Sequence, residues 1–233
     1  SGMARIPRLS QEHVRRVHRE VEDPGPGARG GLGHFTEGQY DEHLAEFLRE
    51  RPEGPLGVFA YGSLIWQPAF ALAAGLRAVA LGWERAFTLR PGRFRGRPDR
   101  PGLMMQIDRG GRCEGVLHIL PPEREREAPG DRWRREMTVR PPGNLPRWVE
   151  VEAQGRARRA IAFTVKPESP NYAGRLSLGE VAACLSEACG HWGTGADHLL
   201  QTVAALEGQG IHDPPRWALH ERVAELIEAR LPG

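Results

Sequence analysis

The order of the periodicities constrains this chain most. From Val58 to Lys166 the apolar residues mostly follow the two-residue repeat of strands. After Lys166 they follow the 3.6-residue repeat of helices. Val58–Tyr61 reads as one strand, and Arg77–Arg90 as a second, longer one. "GLMMQIDRGGRCEGVLHIL" reads as two strands joined at Asp108-Arg109-Gly110-Gly111, a composition suited to a hairpin turn. "RWVEVEAQGRARRAIAFTVK" reads as a further hairpin. Trp148, Val149 and Val151 lie on its first arm, and Ile161, Phe163 and Val165 on its second. Between the hairpins, "PPEREREAPGDRWRREM" is helical in composition but interrupted at Pro129-Gly130.

Three helices follow: "SLGEVAACLSEAC", "GADHLLQTVAALEGQ" and "PRWALHERVAELIEARL". Ser177 with Glu180 fits a capping box, Asp213 fits a cap, and Pro214-Pro215 fits a first helical turn. Hairpin strands followed by helices imply an α+β fold. They argue against a doubly wound parallel sheet, which alternates strand and helix. At least five short strands would most economically close into a small barrel or a strongly twisted sheet.

Residues 1–54 read as an N-terminal segment, and residues 55–233 as one domain. Leu9–Val21 reads as a short surface helix at best. "DPGPGARGGLGHF" reads as a flexible loop, and "YDEHLAEFLRE" as an amphipathic helix with Leu44, Phe47 and Leu48 on one face. The glycines at 25, 27 and 30 match GxGxxG formally. No strand precedes them and Pro26 interrupts them, so they do not mark a dinucleotide site.

The 29 Gly and 20 Pro forecast long connections. With 32 basic and 30 acidic residues, the balance argues against nucleic acid as a partner. Three cysteines without CxxC spacing suggest free thiols in a reducing compartment. No apolar run approaches the roughly 20 residues that span a bilayer, so a cytoplasmic protein without membrane contact is expected. Cys189, His191 and His198 lack zinc-site spacing and read as structural, and no GxSxG elbow, HExxH or P-loop is present.

Two stretches could carry chemistry. In "VFAYGSLIW" a buried strand breaks at Gly62-Ser63 and then returns to large apolar residues. Two readings fit: a bulge at a barrel corner, or backbone amides gathered to hold an anion. In "DRWRREM", Glu136 stands beside the helical face shared by Trp133 and Met137. It is either an Arg-paired surface residue or a partly desolvated carboxylate suited to general acid/base work. "GRFRGRPDRPG" reads either as a phosphate contact or as a mobile loop over a pocket.

These stretches, in this order, resemble the ChaC-type γ-glutamylcyclotransferases. The likeness rests on "FAYGSLIWQPAF", "RPDRPGLMMQIDRGGRCEGVLHILPPE", "WRREM", "PRWVEV", "AIAFTVKPESPNYAG" and "GIHDPPRWALHERV". The resemblance implies a small mixed, mainly antiparallel β-barrel with flanking helices. It also implies cleavage of glutathione, a small-molecule substrate, to 5-oxoproline and Cys-Gly. The substrate's own α-amine would attack its γ-carbonyl, with no cofactor and no metal. By the same likeness Glu136 is the general acid/base, Tyr61, Gly62, Ser63 and Leu64 cradle the γ-glutamyl group, and Tyr172 faces the pocket. The alternatives are a cyclotransferase for another γ-glutamyl amine or dipeptide, and a non-catalytic γ-glutamyl-binding regulator. Arg93 to Arg100 would form the rim that reads the leaving group.

Overall fold

Five strands close a barrel: β1 (Gly57–Ala60), β2 (Ala74–Leu89), β3 (Met104–Ile119), β4 (Asn144–Ala153) and β5 (Arg156–Val165). Their order around it is β1-β3-β2-β4-β5, and β3 also meets β5. The computed structural model describes residues 8–25, 36–66, 74–125, 127, 129–130 and 144–232. The chain divides into two compact units. The barrel unit comprises Pro26–Leu89 and Met105–Tyr172; the other comprises Ser1–Gly25, Arg90–Met104 and Ala173–Gly233.

The hairpin expected from "EAQGRA" forms as read. β4 and β5 are antiparallel in unbroken register from Asn144↔Val165 to Ala153↔Arg156. Gln154 and Gly155 make the turn, both at positive φ (51° and 72°), the conformation a two-residue hairpin needs. The inner face of the barrel packs Phe59, Ile107, Leu117, Val149, Val151 and Ala160. The opposite face of β1 and β5 presents Val58, Ala60, Ile161 and Phe163. Tyr40 and Leu44 of helix α2 (Glu37–Leu48) cover it, together with Leu64 of the single turn α3 (Ser63–Trp66).

The hairpin expected at Asp108–Gly111 does not form. Residues 104–119 are one continuous strand lying beside β2. Gly110 faces Glu84 of β2 so closely that a Cβ would fall inside the Glu84 side chain. The strand nevertheless changes course. β3 runs antiparallel to β1 from Val116 to Ile119, yet parallel to β5 at Ile107, while β1 and β5 are parallel to each other. β3 therefore swings through a large angle between those contacts, and Gly110-Gly111 lie in the swing. The glycines relieve crowding in a coiled ribbon rather than reversing the chain in a turn. Pro129 and Gly130, read as an interruption, are helical and buried.

The second unit holds α1 (Gln11–Val17), α4 (Leu178–Glu187), β6 (Cys189–Gly190), β7 (Gly193–Thr194), α5 (Gly195–Gly208) and α6 (Pro214–Arg230). The caps form as read. Ser177 and Glu180 bond reciprocally at 3.1 and 2.8 Å, and Asp213 accepts from the Arg216 amide at 3.3 Å. α1 is not a mere surface helix. His13, Val14 and Val17 are buried, and His13 Nε2 lies 2.8 Å from Glu228 of α6. Its charged residues hide a narrow apolar stripe that short-window patterning understates. All three cysteines are free. Among the described residues, no helix is long and apolar enough to cross a membrane.

Candidate active site

β1 is only four residues long, and its end creates the site. Where it stops at Ala60, its neighbours β3 and β5 meet directly, Ile107 against Thr164. The chain leaves the ladder at Tyr61 and Gly62 and enters α3. Tyr61 reaches back over this seam. Its hydroxyl donates to Phe163 O on β5 at 2.6 Å and lies 3.3 Å from Gln106 Oε1 on β3.

Backbone carbonyls that leave a ladder need other donors. Arg85 Nε donates to Tyr61 O at 2.6 Å, Ile65 N to Gly62 O at 2.9 Å, and His118 Nε2 lies 3.3 Å from Leu64 O. A planar trans peptide points its N–H opposite its C=O. Fixing the Tyr61 and Gly62 carbonyls therefore turns the Gly62 and Ser63 amides the other way. Arg85 also donates through Nη2 to Glu114 O, so one buried guanidinium ties the loop to the swing in β3. Leu64 is buried in the α2-covered core and anchors the far side. Burial pushes the His118 imidazole below its ordinary value, so it stays neutral at pH 7.

Tyr172 enters from the segment after β5. A turn closed by Tyr172 N to Ser169 O at 3.0 Å brings it beside Leu89. Its hydroxyl donates to Asp108 Oδ2 at 2.6 Å. Asp108 Oδ1 accepts from the Arg109 amide at 2.7 Å. That bond to Asp108, aided by burial, pushes the Tyr172 phenol up to about 12. Gln106 and Asp108 are two residues apart on β3 and so share a face. Tyr61 and Tyr172 thus touch neighbouring positions of one strand face. The structure brings Tyr61, Gly62, Ser63, Leu64 and Tyr172 to one end of the barrel unit. Glu136 lies outside the described residues.

Four residues of this arrangement were not read from the sequence: Arg85, Gln106, Asp108 and His118. A signal existed for two of them. Gln106 and Asp108 alternate with the buried Met105 and Ile107, and both are themselves buried, at 3% and 5% exposure. Paired polar residues at period two in such a strand mark a buried polar face, here the one opposite Ile107. The expected mobile loop at Gly92–Gly102 belongs to the helical unit and is tied internally. Arg93 forms two 2.8 Å bonds to Asp23, and the buried Arg95 donates to Thr194 O at 2.8 Å.

This chain belongs to the ChaC-like family, whose model matches residues 56–226. A relative in Escherichia coli, named a glutathione-specific γ-glutamylcyclotransferase, is 34% identical over 81% of this chain and 82% of its own length. A human protein named glutathione-specific γ-glutamylcyclotransferase 1 is 26% identical over 75% of this chain and 78% of its own length. The crystal structure of a yeast γ-glutamyl cyclotransferase specific to glutathione superposes with a TM-score of 0.66. It covers 75% of this chain and 100% of its own at 18% identity, a likeness of fold.

Proposed function

We propose that this protein is a γ-glutamylcyclotransferase that cleaves glutathione to 5-oxoproline and Cys-Gly. The observation that carries the reading is the loop Tyr61–Leu64, a family signature pinned by its carbonyls, with the Gly62 and Ser63 amides turned away from those bonds. The extended similarity to the Escherichia coli relative supports the choice of substrate.

The reaction asks little covalent chemistry of the protein. The substrate's α-amine attacks its own γ-carbonyl, a five-membered ring closes, and the Cys-Gly amine leaves. The enzyme must hold the glutamyl chain curled, and such positioning can remove about 7–11 kcal/mol of a barrier. Backbone amides of such a loop suit the α-carboxylate or the developing oxyanion. Glu136 takes the proton from the α-ammonium and returns it to the leaving amine. Three free cysteines suit a reducing compartment, and we place the protein in the cytoplasm.

Incubation with glutathione and a panel of γ-glutamyl dipeptides, assayed for 5-oxoproline, tests the reading. Glutathione should be the preferred substrate; 5-oxoproline from another member of the panel alone would reassign the leaving group. Glu136→Gln should fold normally and lose about 10²–10⁴-fold in kcat. Near-normal turnover in that variant would remove Glu136 from the mechanism.

A further inference from the structure

Asp108 is a buried carboxylate. It makes no ion pair among the described residues, and its two bonds come from the Tyr172 hydroxyl and the Arg109 amide. Buried charges are ordinarily paired, because desolvation is costly without a counter-charge. Among the described residues this carboxylate therefore has no counter-charge, two residues along β3 from the Gln106 that Tyr61 touches. The Tyr172 hydroxyl has a single proton, and it is committed to Asp108. A phenol so committed offers only lone pairs to anything else. Its high pKa keeps that proton in place across the neutral range. Tyr172 itself is only partly buried.

We propose that Asp108 is a positioning residue that fixes Tyr172 as a hydrogen-bond acceptor for the α-ammonium of the γ-glutamyl substrate. The assignment rests on the cyclotransferase reading above and names how that site selects its substrate. An acceptor suits both protonation states that the reaction needs. The ammonium donates an N–H to the phenol oxygen on binding. After losing one proton the neutral amine still donates through another, which leaves its lone pair to be aimed at the γ-carbonyl.

The test compares wild type, Asp108→Asn, Tyr172→Phe and the double variant. The two ligands are glutathione and its des-amino analogue, glutaryl-cysteinylglycine. Losing a hydrogen bond to a charged group should raise KM for glutathione about 10- to 100-fold, with a smaller change in kcat. The inhibition constant of the des-amino analogue should stay within about twofold, since it has no ammonium to lose. The double variant should be no worse than Tyr172→Phe, because Asp108 acts through the phenol. Equal weakening of both ligands would mean a structural role only and overturn the assignment. Absorbance titration of the three tyrosines should move one phenol from about 12 toward the ordinary value in Asp108→Asn. An unmoved titration would show that Asp108 does not hold it. If wild type makes no 5-oxoproline, the cyclotransferase reading fails. Calorimetric binding of the two ligands then decides the ammonium assignment separately.

Discussion

Two stretches of the barrel unit contain glycine where a strand was expected to break, and they resolve oppositely. At Gly62-Ser63 the chain leaves the sheet and enters α3. At Gly110-Gly111 it stays in the sheet and merely swings. The difference lies in the partners of the carbonyls. The Tyr61, Gly62 and Leu64 carbonyls meet Arg85, the Ile65 amide and His118, all outside the ladder. Around Gly110 the neighbouring strand β2 remains alongside, and the missing Cβ admits Glu84. Glycine permits a break. Whether one occurs depends on donors that arrive from distant sequence.

Arg85 links the two stretches, because it donates to Tyr61 O in one and to Glu114 O just after the other. Arg85→Met keeps the stem and removes both donors. Two part-buried carbonyls would then lose charge-assisted bonds worth roughly 1.5–3 kcal/mol each. Denaturant unfolding should show a loss of about 3–5 kcal/mol, and kcat/KM of the protein that remains folded should fall too. A loss below 1 kcal/mol would mean that the loop is held by apolar packing alone, and the contrast drawn above would collapse.

His118 supports the loop more weakly. Burial holds its folded pKa below the unfolded value of about 6.5. The sign follows: below that pH the unfolded chain binds a proton that the folded chain resists, so stability falls as pH falls. The contribution is present above about pH 6.5 and is lost toward the depressed folded value. His118→Gln should cost about 1 kcal/mol at pH 7. It should also flatten the decline in stability between pH 6.5 and 5 by at most one proton's worth. His198, held down to about 3 by burial and by Arg95, and His220, lowered by burial, keep the remaining slope. An unchanged slope would place the His118 ring in contact with water.

The sequence disclosed the local parts of this molecule. Gln154-Gly155 and the flanking alternation specify the β4–β5 hairpin because every cue lies within twenty residues. The Ser177 and Asp213 caps are equally local. The loop at Tyr61–Leu64 was legible as an interruption, though not in its support. Arg85 sits among alternating residues of a long strand, where an arginine reads as solvent-facing, yet it is only 6% exposed. Asp108 was absorbed into a turn signal. Its true role depends on Tyr172, sixty-four residues later in the chain. The barrel closes through Val58↔Ile161, and β3 meets β5 at Ile107↔Thr164, pairings that no local pattern encodes.

The smallest effect tests the comparison most directly. Gly110→Ala places a methyl group where the Glu84 side chain now lies. Glu84 is partly exposed, which gives its side chain room to shift. Replacing glycine by alanine also reduces the freedom of the unfolded chain, which favours folding by about 0.4–1 kcal/mol. The two contributions oppose each other, and the net change should stay below about 1 kcal/mol with turnover unaltered. In a Glu84→Ala background the steric part disappears, so Gly110→Ala should there be neutral or stabilising. If it instead cost several kcal/mol in both backgrounds, the swing would need a glycine backbone for its own sake. The segment would then be a true break like Gly62-Ser63, and the distinction between a permitted and an executed break would fail at this position.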